Sequence, residues 1–560
     1  MNWEYKENLF RCTKGKGYFN DKTGKITFPA KKEKTSKKRV KYTTVAGWGF
    51  AHSGIVYSNE NECMQYALSR HMKRKTMECK SDQDEVNNLK LMFKELTEDK
   101  GFDFHESLIA NQAAFYAQYS DEIRDAVREA IGEFSYFIPL VEASEMLTLE
   151  KHKKQKLRIC VFKECDIDGR LAKATYMHVV TWFVKCPEIA KQGKAPRIVV
   201  DETTEGSLVR VHFANAWKAH TKNKEIKFRN VVVKYEADQS YQAFVDLFVK
   251  HRDLESKVYI SNNSDDGLMT WVTDATRSTY MVDIATNDSA HGFAGHEHYC
   301  NVTCMDAEQR RNYMESVKKP IRVYNVDKSK SFTLEALVGY LPSGLGDTSV
   351  CNNRVYIDVG FLLDKLISLG HKMSIELLTC AGFLLGHRFS YVKVEKFSDM
   401  QFLKQSPFMI GNEVGHCVNL GVMFRYSGRV DGDLPEIKYP KSVSTLTDKW
   451  VYFQSLLTYG FFKYNRYAPL QSALCPMFDY INGTEGKHLE NLEKYGHKIH
   501  MNHDDRPIIY HTVESFYSRY NVTSLDIKEF EELIGEAGFG TMTWCKLIDV
   551  VLETDYGLKW

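Results

Sequence analysis

Asp265 and Asp266 stand side by side in "SKVYISNNSDDGLMTWV", Ser256 to Val272. Adjacent carboxylates can hold a hard divalent cation, which takes oxygen ligands. β-Favouring residues flank them: Val258, Tyr259 and Ile260 before, Leu268, Met269, Trp271 and Val272 after. Strand, tight turn, strand predicts a hairpin with the carboxylates at its tip. A solvated turn explains Asp, Asn, Ser and Gly there on local grounds too, so the pair alone leaves both readings open. A second pair, Asp283 and Asp288, closes the apolar stretch in "TYMVDIATNDSAHG". That spacing arises about twice by chance in a chain this long and carries little weight by itself.

The loop "LPSGLGDTSVCNN" is more specific. Ser343, Gly344, Thr348 and Asn352 are four fixed identities at fixed spacing, with a chance expectation of about 0.01 per chain. Ser343 and Gly344 sit in a loop flexible enough to approach a nucleotide. Thr348 and Asn352 fall four apart, on one face of the long helix that follows. Positioning these groups requires the hairpin to lie beside the strand Tyr280 to Ala285 in one sheet. The linker Thr273 to Thr279 contains Asp274, Thr276, Arg277 and Ser278, which suit a turn, and sequential strands are usually neighbours.

Together these segments resemble the palm of a viral RNA-dependent RNA polymerase. "DIATND" resembles that family's motif A, "SGLGDTSVCNN" its motif B, and the hairpin "SDD" its motif C. "MQFLKQSPF" resembles the primer-grip motif E of picornavirus-like enzymes, and "KCPEIAKQGKAPRIVV" the basic motif F. The usual order is A, B, C. Here the double-Asp hairpin precedes Asp283, and no other apolar-Asp-Asp hairpin lies between Asn352 and "FLKQSPF". The order C, A, B resembles the permuted polymerases of permutotetraviruses and birnaviruses, although Ser-Asp-Asp departs from their Gly-Asp-Asn or Ala-Asp-Asn.

The resemblance implies an α+β right-hand polymerase with permuted palm connectivity. Fingers would span 1–255, the palm 256–410 with a finger insertion at about 295–335, and a helical thumb 411–560. It implies template-directed RNA synthesis from rNTPs by two-metal nucleotidyl transfer, with two Mg²⁺ or Mn²⁺ ions. Asp283 and Asp265 would be the main metal ligands and Asp266 a secondary one. Asp288, Ser343 and Asn352 would read the ribose 2′-hydroxyl, with Gly344 and Thr348 in the same substrate-binding motif. Lys185, Lys194 and Arg197 would neutralise triphosphate charge. Lys393, with Lys396 as its rival, would be the general acid that protonates pyrophosphate. RNA template, primer or product strand, rNTPs and viral capsid or replication-complex proteins would be the partners, in the host cytoplasm or the virion.

Two alternatives stay open. A reverse-transcriptase-like polymerase is disfavoured by the acidic Asp288, where a dNTP enzyme usually places a bulky residue. A non-catalytic viral RNA-binding or capsid-associated protein is disfavoured by the intact Asp265 and Asp283.

The rest of the chain is consistent with a multi-domain globular protein. It has 560 residues, more than one hydrophobic core usually serves. With 26% charged residues and a net charge of only +2, any nucleic-acid surface must come from local segregation of charge. Residues 14–42 are strongly basic, read either as a solvated arm or as a phosphate-binding one. No apolar run is long enough to span a membrane, and the N-terminal residues lack the apolar core of a signal peptide. The 13 Cys are scattered without a C-x-x-C pair, as expected of reduced thiols. Helical periodicity dominates 60–150, mixed strands and helices follow to 248, and a mainly helical region begins after Gly411, with Ser524 a predicted N-cap. "GHEHYCNVTC" offers His296, His298, Cys300 and Cys304 as zinc donors or as core residues. "NHDDRP", with Asp504 and Asp505, lacks flanking strands and reads as a surface turn.

Overall fold

The computed structural model describes residues 107–132, 204–236, 258–318, 341–426, 437–495 and 513–557 apart from short breaks, together with isolated short strands elsewhere. Lys185, Lys194, Arg197, Asp504 and Asp505 lie outside the described residues, as does most of 1–106.

The centre is a six-stranded sheet. Its strands are β1 (Glu225–Lys227), β2 (Val231–Tyr235), β3 (Val258–Asn263), β4 (Asp266–Thr273), β5 (Thr276–Ala285) and β6 (Arg388–Lys393). Their spatial order is β6-β5-β4-β3-β2-β1, antiparallel except for the parallel pair β2 and β3. The helices that accompany it are α1 (Leu108–Ile131), α2 (Thr204–Thr221), α3 (Phe293–Val302), α4 (Ala307–Lys318), α5 (Thr348–Ser368) and α6 (Ile375–Leu384).

Strand alternation divides the sheet side chains between two faces. Val231, Val233, Val258, Ile260, Met269, Val282 and Ile284 join α1, α5 and α6 in the main core. Val232, Tyr259 and Leu268 point the other way, against Phe244, Met400 and Phe402. Helix α5 is buried on nearly every side from Val350 to Leu363, and its polar residues in that span, Asn352, Asn353, Arg354 and Asp358, are buried with hydrogen-bond partners inside the protein. It crosses β2 at Gly360, where a Cβ would collide with Val233. A larger residue there would have to push helix and strand apart, at a cost of about 1–3 kcal/mol.

The linker between β4 and β5 is shorter than the sequence suggested. Thr273 pairs directly with Thr276, and only Asp274 and Ala275 turn, both with positive φ. That is the pattern of a type I′ turn, whose twist matches antiparallel strands. Strand β5 therefore begins at Thr276 instead of Tyr280.

Beyond β6, β7 (Gln405–Ile410) and β8 (Glu413–Val418) form a hairpin. A second core then gathers around α7 (Leu446–Tyr464), with Phe453, Leu456 and Phe462 packed among Phe424, Phe530 and Ile548. The buried pair Arg519 and Asp555, 2.9 Å apart, sits beside it. Arg519 also donates to the Ser398 carbonyl at 3.0 Å, tying this core to the segment after β6. The helix Ser524–Glu536 is capped by Thr523, not by Ser524. Thr523 N–H donates to the Asp526 carboxylate at 2.7 Å, and Asp526 N–H donates back to Thr523 Oγ1. This is a reciprocal capping box with Asp in the acidic position. No helix of the described residues is long and apolar enough to cross a membrane.

Candidate functional site

The β3–β4 hairpin closes with Asn263 opposite Asp266, leaving Ser264 and Asp265 as its turn. Ser264 takes a φ of +55°, a region where glycine is at ease and other residues are strained. On its other edge β4 pairs with β5, and the register sets Asp266 directly opposite Asp283. Directly opposed residues in an antiparallel pair share a face, with Cβ atoms about 4.5–5.5 Å apart. Both side chains are exposed, on the face turned away from α5. Asp265 is half-buried in the turn. Its carbonyl accepts from Ile284 N–H at 3.3 Å and from the Tyr356 hydroxyl at 2.6 Å. The cross-strand neighbour of Asp283 is thus Asp266, where the sequence reading ranked Asp265 first.

Helix α5 holds this tip from below. Asn352 Nδ2 donates to Ser264 Oγ at 3.1 Å, and Asn353 Nδ2 to Asn262 Oδ1 at 2.8 Å. Asn353 is itself fixed by Trp217 Nε1 of α2 at 2.7 Å. One turn on, the Tyr356 ring lies under Gly267, where a Cβ would come within 2.7 Å of it. Burial pushes the Tyr356 phenol well above its ordinary pKa, and Asp266, Asp283 and Asp265 push it further. All three carboxylates therefore bear on one point beneath the hairpin tip.

The loop before α5 is anchored as well. Gly344 has a φ of +103° and is exposed, while Ser343 and Thr348 are half-buried. Asp347 is fully buried, ion-paired to Arg210 at 3.1 Å and accepting from the Tyr313 hydroxyl at 2.9 Å. Asp288 lies on the single helical turn Asn287–Ala290 that follows β5. Asn352 is buried, with its amide nitrogen engaged by Ser264.

Other expected residues among those described lie apart from this cluster. Lys393 pairs in register with Tyr280, while Ser390 is the partner of Asp283. Alternation puts Lys393 on the opposite face, about 10 Å along the strand, where it forms an exposed ion pair with Glu395 at 3.1 Å. Lys396 follows the strand and is exposed. Lys185, Lys194 and Arg197, outside the described residues, stand in the sequence between Thr181–Val184 and Ile198–Asp201, which pair antiparallel. In "GHEHYCNVTC", both ring nitrogens of His298 have protein partners, Ser120 Oγ at 2.8 Å and Asp358 Oδ1 at 3.0 Å. Burial pushes the Cys300 thiol pKa up, away from the thiolate that zinc requires. These residues therefore serve the core that joins α1, α3 and α5.

Sequence reasoning missed Tyr356, Gly267, Asn353 and Asp347. A glycine inside a predicted strand signals close approach by another group, and Tyr356 lies one turn beyond Asn352 on the same helix face. Those two signals were available. The Asp347 ion pair had none.

Among the described residues, no three His, Cys, Asp or Glu side chains form a preformed cage for an ion. Mg²⁺ does not need one, since it commonly binds one or two carboxylates and fills its shell with water and phosphate oxygens. Two exposed carboxylates facing each other across strands, with a third on the adjoining turn, suit that cation and Mn²⁺. Compared with known protein families and with curated proteins, the chain matches none.

Proposed function

We propose that this protein synthesises RNA on an RNA template from rNTPs, as a polymerase with a palm of permuted connectivity. The observation that carries the reading is the meeting of three separated segments. Asp266 lies opposite Asp283, and Asn352 of the helix that begins at Thr348 holds Ser264 at 3.1 Å. The six-stranded sheet with α1, α5 and α6 on one face would be the palm, so that 108–131 and 225–235 belong to it instead of to fingers spanning all of 1–255. The second core would be the thumb, and the fingers would come from the rest of 1–255 and the insertion around α4.

Asp283, Asp266 and Asp265 would hold two Mg²⁺ or Mn²⁺ ions, which supply activation of the primer 3′-hydroxyl and neutralisation of the triphosphate. The chain's own contribution is placement. The register fixes Asp266 against Asp283, and α5 fixes the turn that carries Asp265. Asp288, Ser343 and Asn352 would read the ribose of the incoming nucleotide, Asn352 after release of its nitrogen from Ser264, with Gly344 allowing close backbone approach. Lys185, Lys194 and Arg197 balance triphosphate charge as it grows in the transition state. Template and product RNA are the macromolecular partners.

The test is primer extension by purified protein on a primed RNA template with rNTPs and Mg²⁺ or Mn²⁺. Asp283→Ala should abolish incorporation while leaving RNA binding and the fold in place. Substantial extension by that variant, or none by the wild-type protein with either metal, would overturn the proposal.

A further inference from the structure

We infer that Tyr356 is a positioning residue for the hairpin carboxylates, acting through the peptide between Asp265 and Asp266 and depending on Gly267 for its place. This inference rests on the polymerase reading for its functional consequence, but not for its geometry.

The Asp265 carbonyl accepts two hydrogen bonds from different parts of the fold. Ile284 N–H reaches it from β5 at 3.3 Å, and the Tyr356 hydroxyl from α5 at 2.6 Å. The same hydroxyl lies 3.5 Å from the Val282 carbonyl, the residue before Asp283. One phenol therefore touches the main chain beside both members of the opposed pair. Its ring is fully buried and cannot move away without opening the core. Gly267, immediately after Asp266, leaves the space that the ring fills. The nearest atoms to a Cβ built there are three atoms of Tyr356, at 2.7–2.8 Å.

The consequence is mechanical. A two-residue turn with Ser264 at positive φ is a strained support for two charges that repel each other and Asp283. The phenol pulls the carbonyl toward the helix face of the sheet, so the carboxylates stay on the open face. Outer partners of this kind commonly set metal affinity by about 10–100-fold without touching the ion.

The test uses the full chain and four variants: Tyr356→Phe, Gly267→Ala, Tyr356→Ala and the last two combined. In Tyr356→Phe, the Ile284 amide, which shares the same acceptor, should exchange with solvent about 3–10-fold faster, the scale of one lost hydrogen bond. Mn²⁺ binding followed by electron paramagnetic resonance should weaken about tenfold or more, with the melting temperature nearly unchanged. Extension should lose kcat at saturating Mg²⁺ while the KM for rNTP moves little. Gly267→Ala, which displaces the ring without removing the hydroxyl, should reproduce the Mn²⁺ loss. It should cost nothing further when added to Tyr356→Ala, where the space is open. Unchanged Ile284 exchange and Mn²⁺ affinity in Tyr356→Phe would overturn the inference while wild-type extension still stands. Changed exchange with no wild-type extension would instead overturn the polymerase reading and, with it, the functional role given to Tyr356.

Discussion

Asp266 and Asp283 are direct antiparallel partners, so without a cation each destabilises the other. At a separation of about 5 Å, two unit charges repel by about 0.8 kcal/mol in bulk water and about twice that at half the dielectric constant. Both side chains are exposed, so about 1 kcal/mol at low ionic strength is the working figure. The perturbation is a double-mutant cycle: Asp266→Asn, Asp283→Asn and both together. Each single change removes the whole repulsion and the double change removes it once. The stability gains of the singles over the wild type should therefore sum to about 1 kcal/mol more than the gain of the double. Other neighbours of either carboxylate cancel in that difference. The assay is urea unfolding followed by tryptophan fluorescence, in chelator and at about 10 mM salt, where the Debye length is about 30 Å. Adding Mg²⁺ to ten times its dissociation constant should then stabilise the wild type by about 1.4 kcal/mol and leave the double variant unmoved. A zero or favourable coupling in chelator, or equal Mg²⁺ stabilisation of the double variant, would refute the cross-strand geometry or its role as a cation site.

Three further outcomes follow from the same structure. Ser264→Ala should be less stable than Ser264→Gly by about 1 kcal/mol, because both lose the Asn352 hydrogen bond but only alanine keeps the left-handed backbone strain; equal unfolding midpoints would contradict this. Burial, helped by Arg354, pushes His387 down to about 3, and neither ring nitrogen has a hydrogen-bond partner among the described residues. A depressed histidine contributes stability above its unfolded pKa and loses it as pH falls toward the folded value, so the window runs from about 6.5 down to about 3. His387→Phe should therefore gain about 2 kcal/mol on the wild type between pH 7 and pH 5, read from urea midpoints at the two values. Asp358→Asn should cost about 3–5 kcal/mol, because it leaves buried Arg354 without its carboxylate, 2.8 Å away, and weakens the His298 contact at 3.0 Å; a loss under 1 kcal/mol by chemical denaturation would show that the pair is dispensable.

The hairpin, the strand before Asp288 and the helix after Ser343 could be read from the sequence, because alternation of β-branched and aromatic residues, turn formers and helical spacing are local properties. Val258–Asn263, Asp266–Thr273 and Thr348–Ser368 are where those patterns put them. The motif identities that suggest nucleotide chemistry are also a property of the chain alone. Register was beyond that reading. A shift of one residue moves a whole strand's side chains to the other face, and nothing between Asp265 and Asp283 states which carboxylate faces which. The tight closures at Ser264–Asp265 and Asp274–Ala275 decided it, placing Asp266 opposite Asp283 and shortening a linker that composition alone made longer. Lys393 shows the same limit, since its residue type and strand were legible but its face was not. The support from α5 was equally hidden. Tyr356 reaches Asp265, and Asn353 reaches Asn262, only because a helix buried on nearly all sides lies across the sheet at the depth that Gly267 and Gly360 permit. Such contacts join residues far apart in the chain. Their geometry is set by how the whole core packs, which no window of sequence contains.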